Sequence, residues 1–292
     1  MKKKISLVLG SGGARGLAHI GIINWLEEHN YEIIAISGCS MGSLVGGFFA
    51  AGKLDELTTW ALSLDTYDLL KLLDFKGTGG LVSGETLFEK IEEILGDPNI
   101  EDLKVEFTAV ASDINEEKEV WITKGSLIKA IRASVSLPLF FTPFKYKNRL
   151  LIDGGVLNPV PIAPTFDDDS ELTIAVNLGG ESDPALDVKD IVVKEESSFS
   201  STIREFFGEI NLPESIATKY TMYQIADKSF DSMQGTIARM KLAAYPPDIE
   251  ITLPRNICGT LEFNRAKEMI DYGYNKCDEI FTKENLDTDY DI

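Results

Sequence analysis

Two stretches, Lys4-Ile-Ser-Leu-Val-Leu-Gly10-Ser-Gly-Gly-Ala-Arg-Gly16 and Ile33-Ile-Ala-Ile-Ser-Gly38-Cys-Ser-Met-Gly42, follow one local plan: a short apolar strand runs into a glycine-rich turn. In the second, Ser40 lies between Gly38 and Gly42, the spacing of a nucleophile elbow. A strand turns into a helix there so sharply that flanking side chains would clash. In the first, the Gly10–Gly16 segment offers backbone N–H groups at the start of a helix, where a developing oxyanion is stabilised. Ile5–Leu9 is a continuous apolar run, as in a buried parallel strand. Leu17–Glu28 carries a helical stripe of Leu17, Ile20, Ile22, Ile23, Trp25 and Leu26. Ile33–Ile36 and Met41–Ala51 repeat the strand and helix. This βαβα opening predicts a parallel α/β sheet.

Further along, Leu54–Leu73 reads as one apolar helix, so that 54–82 is either a mobile cap over a site or ordinary helical packing. Ser83 is placed to cap a Glu85–Leu95 helix. Phe107–Ala111 and Glu119–Ile122 form a hairpin across Asn115-Glu-Glu-Lys118, and Leu127–Ser134 is a short helix. Arg149–Asp153 is a strand that carries a carboxylate at its end, followed by Gly154 and Gly155. Leu172–Asn177 and Ile249–Leu253 are further strands. Helices are expected over Ser201–Asp227, Ser232–Leu242 and Glu262–Phe281, with a polar linker or surface loop over 179–198. The whole reads as a single domain over 1–292. Its core motifs lie within 4–180, a helical extension and late strand occupy 181–283, and 284–292 is an acidic tail.

The 28 basic and 47 acidic residues give a net charge of −19, which argues against nucleic acid as a partner. It also disfavours docking on anionic lipid heads, so transient contact with a membrane surface should be apolar. Three widely spaced cysteines read as reduced thiols. No apolar run reaches the ~18 residues of a membrane span. The apolar run after Met1-Lys-Lys-Lys4 is too short for a signal peptide, so a cytoplasmic protein is expected. Nothing in the sequence assigns an oligomeric state.

Ser40 needs a base. The only histidines, His19 and His29, both precede it, whereas a triad of the α/β-hydrolase type places its histidine after the serine and the acid. A carboxylate must then serve, and Asp153 is the choice: it ends an apolar strand, and a partly desolvated carboxylate is the better base. A dinucleotide fingerprint needs glycine at positions one, three and six; counted from Gly10, the sixth residue is Arg15. The first turn therefore reads as an oxyanion loop, with the N–H groups of Gly12, Gly13 and Ala14 as donors. Arg15 either braces that loop or binds a phosphate or carboxylate of the substrate. Two other readings stay open: a regulatory protein that binds phosphate or nucleotide on Gly10–Gly16, and a catalytically vestigial interaction protein.

Gly10-Ser-Gly-Gly-Ala-Arg-Gly16, Gly38-Cys-Ser-Met-Gly42 and Asp153-Gly-Gly155, in that order, resemble the patatin-like phospholipases, in particular the bacterial members. Ile131-Arg-Ala-Ser134, Leu137-Pro-Leu-Phe140 and Asn158-Pro-Val-Pro161 look like the same family. Ser11 departs from it, since the family's loop often has glycine there, and Ser134-Val-Ser-Leu-Pro138 is a milder variation. The resemblance implies a three-layer α/β/α fold with a mostly parallel central sheet. It also implies a Ser40–Asp153 dyad, no metal or cofactor at the catalytic centre, and hydrolysis of fatty-acyl esters of phospholipids or lysophospholipids.

Overall fold

The computed structural model describes residues 2–72, 82–138, 140–187 and 222–283. The expected linker and helix over 188–221, part of the expected cap at 73–81, and the acidic tail at 284–292 lie outside the described residues.

Eight strands form one sheet: β1 (Lys3–Leu9), β2 (Tyr31–Cys39), β3 (Glu106–Asp113), β4 (Lys118–Ile122), β5 (Phe144–Tyr146), β6 (Arg149–Asp153), β7 (Leu172–Gly180) and β8 (Ile249–Pro254). Their order is β5-β6-β3-β2-β1-β7-β8, with β4 paired to β3 off this path. The β3–β2–β1–β7–β8 run is parallel throughout, while β4 and β6 join β3 antiparallel and β5 pairs antiparallel with β6. The sheet is therefore mixed but mostly parallel, as expected.

Helices cover both faces, which is why the central strands are apolar without alternation. Leu7 and Leu9 of β1 enter the main core with α1 (Ala18–Glu28), α2 (Met41–Ala50) and α3 (Leu54–Ser63). The same core takes in α5 (Glu85–Leu95), α6 (Leu127–Ser134) and α9 (Ala266–Lys283). Val8, pointing the other way, packs with Ala175, Val160 and Ile162 against Ala238 and Leu242 of α8 (Met222–Ala244). The layers are thus helix, sheet and helix.

Three local expectations change. The single helix over 54–73 is two, α3 and α4 (Thr66–Leu72), because Leu64 turns extended and the Asp65 carboxylate accepts the Asp68 N–H at 2.8 Å to start α4. The N-cap of α5 is Gly84, in the left-handed region at φ 70°; Ser83 accepts the Glu85 N–H at 3.3 Å from one residue further back. The break expected between helices ending at Asp227 and starting at Ser232 is absent: α8 runs unbroken from Met222 to Ala244. A last short helix, α7, spans Pro184–Asp187.

Candidate active site

Ser40 sits at the end of β2 with φ 54° and ψ −125°, a backbone state that side-chain sterics disfavour by on the order of 1–3 kcal/mol. The surroundings hold it there. Its N–H donates to the Ser134 hydroxyl at 3.0 Å, and that hydroxyl donates to the Val110 carbonyl at 2.6 Å. Its own carbonyl accepts the Ser43 hydroxyl at 2.7 Å and the N–H groups of Ser43 and Leu44, which opens α2. Gly38 and Gly42 are required by close approach: a Cβ on Gly42 would overlap the Leu9 carbonyl oxygen, and one on Gly38 would meet the Gly42 carbonyl. Ser40 is left 7% exposed.

Asp153, at the end of β6, is fully buried. Its Oδ1 accepts the Gly155 N–H at 2.7 Å, and the Cys39 thiol lies 4.0 Å from the same oxygen. Burial pushes its pKa up to about 6, against the opposing pull of the Ser40 hydroxyl and the Gly155 N–H. Its Oδ2 has no partner of good hydrogen-bond geometry among the described residues, although the Ser40 hydroxyl is near enough to lower the pKa. A loose contact of this kind is usual before substrate arrives. Gly154 packs its backbone against the Val110 carbonyl.

The first elbow follows β1. Gly13, at φ 55°, begins a 3₁₀ turn pressed against the Thr260 carbonyl, where a side chain has neither the conformation nor the room. The N–H groups of Gly12 and Gly13 have no acceptor among the described residues. The Ala14 N–H does: it donates to Thr260 at 2.9 Å, so this third expected donor is already engaged. Of the two readings of Arg15, the geometry favours bracing. Its guanidinium is buried, with Nε donating to the Gly12 carbonyl at 3.0 Å and Nη1 to the Arg255 carbonyl at 2.6 Å, and Nη2 donating to Asp231 at 2.8 Å. His19 stands behind the same turn. Burial lowers its pKa to about 4, so the ring is neutral and Nε2–H donates to the Gly10 carbonyl at 2.8 Å. His29 stacks on Trp25, away from the elbows.

Ser40 and Gly13 open on one partly enclosed cavity. Its other walls are almost wholly apolar: Leu57, Trp60, Ala61 and Leu64 from the α3 region, Phe88 and Ile91 from α5, Leu137, Phe140 and Phe141, and Leu261 and Phe263 beside Thr260. A partly enclosed apolar cavity with few polar groups at one wall is the usual form of a small-molecule site. The α3 part of the expected cap does wall the site. Leu137 and Phe140 belong to the Leu137–Phe140 stretch already noted, whereas Phe141, Thr260 and Leu261 carried no periodic or motif signal in the sequence, and only the fold brings them to Ser40. No group of three or more metal-ligating side chains exists among the described residues.

The fold and this serine elbow define a class, and comparison with known proteins agrees. The model of the family described as patatin-like phospholipase matches residues 7–166. An uncharacterised NTE family protein of Mycobacterium tuberculosis is 35% identical, with 92% of this chain and 89% of that protein covered. The lysophospholipase NTE1 of Pyricularia oryzae is 29% identical over 93% of this chain, which spans 18% of that much longer protein. The crystal structure of VipD from Legionella pneumophila shares the fold, with TM-score 0.55 and 14% identity, covering 97% of this chain and 67% of that one. The chain belongs to the patatin-like phospholipase family.

Proposed function

We propose that this protein is a serine acyl hydrolase that cleaves fatty-acyl esters of phospholipids or lysophospholipids through a Ser40–Asp153 dyad. The observation that carries the reading is the strained Ser40 beside a buried carboxylate, at the wall of an apolar cavity. Asp153 takes the proton from Ser40 Oγ as the oxygen attacks the ester carbonyl carbon. The carbonyl oxygen becomes an oxyanion held by the N–H groups of Gly12 and Gly13, helped by the N-terminus of α2. Collapse breaks the bond to the alcohol, which leaves with the proton from Asp153. Water then attacks the acyl-Ser40 carbonyl, gives its proton to Asp153, and the fatty acid departs as Ser40 Oγ regains a proton.

The apolar walls suit an acyl chain and supply no cation for a nucleotide phosphate, which favours this reading over a phosphate-binding one. Leu62 and Tyr67 stand exposed near the wall residues Trp60 and Leu64, which supports a transient, apolar contact with a lipid surface. No helix among the described residues is long and apolar enough to cross a membrane. The three free, buried thiols favour a reducing compartment such as the cytoplasm. The test is hydrolysis of p-nitrophenyl esters and of a lipid panel by wild type, Ser40→Ala and Asp153→Asn. Turnover by wild type alone supports the reading; wild-type turnover in Ser40→Ala would end it.

A further inference from the structure

We propose that Asp231 and Gln234, one turn apart on α8, are positioning residues that aim the oxyanion loop. The proposal rests on the hydrolase reading above. Both residues lie on the face of α8 turned to the first elbow, and both lie outside the 7–166 region matched by the family model.

Asp231 grips the Arg15 guanidinium with both oxygens, at 2.8 Å to Nη2 and 3.4 Å to Nη1. With the Arg255 carbonyl on Nη1, the guanidinium plane is fixed, and Nε is left pointing at the Gly12 carbonyl. That carbonyl belongs to the same planar trans peptide as the Gly13 N–H, so fixing one on the Arg15 side turns the other the opposite way. Gly13 is the loop residue that borders the cavity with Ser40. Asp231 therefore sets the direction of a donor it does not touch.

Gln234 acts on the same loop one residue earlier. Its Nε2 donates to the Ser11 hydroxyl at 3.2 Å, and both side chains fill the space against Gly155, where a Cβ would collide with them. The Gly155 N–H in turn holds Asp153 Oδ1. Ser11, in place of the glycine common in the family's loop, thus gives α8 a hold on both the oxyanion loop and the Asp153 turn. A third link runs from Asp227, one turn before Asp231: it accepts the Thr260 hydroxyl at 3.1 Å, and the Thr260 carbonyl holds the Ala14 N–H.

The test is steady-state hydrolysis of p-nitrophenyl butyrate by the full chain, with thermal midpoints measured alongside. Asp231→Asn and Gln234→Ala should lower kcat, by about 10- to 100-fold for Asp231→Asn, with KM within about twofold, because a misaimed donor fails in the transition state more than in the ground state. Asp231→Glu, which keeps the carboxylate, should recover part of the loss. Asp231→Asn leaves a buried guanidinium unpaired, so Arg15→Met/Asp231→Leu is made as well, replacing the ion pair by apolar side chains. It should fold and still show the low kcat. Wild-type kcat in Asp231→Asn or in the double variant would overturn the proposal, as would a rise in KM that matches the loss in kcat. If wild type itself shows no turnover, the hydrolase reading falls and the clamp with it; if wild type turns over and the variants equal it, the clamp alone falls.

Discussion

Cys39 and Asp153 face consecutive residues on one edge of β3: Cys39 pairs with Val110, and Asp153 with Ala111. The other edge of β3 is occupied by β4 over the same residues, so β2 and β6 must share this one. One strand arrives parallel and stops at residue 110; the other, antiparallel, ends at 111. Ser40 and Asp153, 113 residues apart in sequence, are thereby delivered to one point by a sheet register rather than by any local motif.

The buried state of Asp153 sets a pH dependence. If it is the base it must be ionised, so kcat/KM for a neutral ester should rise through about pH 6 and fall away below it. A pH–rate profile of wild type checks this; a flat profile between pH 4.5 and 7.5 would contradict it.

The same shift makes Asp153 a burden on stability. Its folded pKa is above the ordinary carboxylate value, so the folded state holds the proton over the window from about 4 to 6 while the unfolded state releases it. Stability therefore falls as pH rises through that window and stays reduced above it. Asp153→Asn should abolish turnover yet raise stability at pH 7 by on the order of 1–3 kcal/mol, with little gain at pH 4. Urea melts at the two pH values measure the difference.

Gly42→Ala should destabilise the fold by about 3 kcal/mol and remove activity, because the added methyl group overlaps the Leu9 backbone and forces β1 and α2 apart. Denaturant unfolding beside an esterase assay reads both effects.

The cavity wall predicts a chain-length effect. Ala61 is buried on the α3 side of the cavity, and Ala61→Phe should fill part of it. Removing room for two methylenes costs roughly tenfold in KM for long-chain esters, while turnover of p-nitrophenyl acetate stays close to wild type. Equal effects on both substrates would mean that the acyl chain lies elsewhere.

Much of this was legible in the chain because its parts are local. The two elbows announce themselves through glycines whose need is steric, and the apolar runs of β1, β2 and β7 show that both sheet faces are covered. Asp153 could be singled out by what the chain lacks, a histidine after Ser40. The helix break at Leu64 was hidden because the apolar pattern continues across it while Asp65 starts a new helix. The role of α8 was hidden for a different reason. Gln234 reads as the solvated face of an amphipathic helix and Asp231 as part of the break expected before it, and only the layer packing turns them onto Ser11 and Arg15. Thr260 is similar, since the group that holds the Ala14 N–H is its backbone carbonyl, which no residue pattern marks.

The most direct measurement is intact-mass analysis after incubation with a fluorophosphonate. Wild type should gain a single phosphonyl adduct, mapped by peptide fragmentation to Ser40. Ser40→Ala should gain none, and Asp153→Asn should label at least about 100-fold more slowly, as expected for loss of a general base. An adduct on Ser40→Ala, or labelling of Asp153→Asn at the wild-type rate, would contradict the dyad.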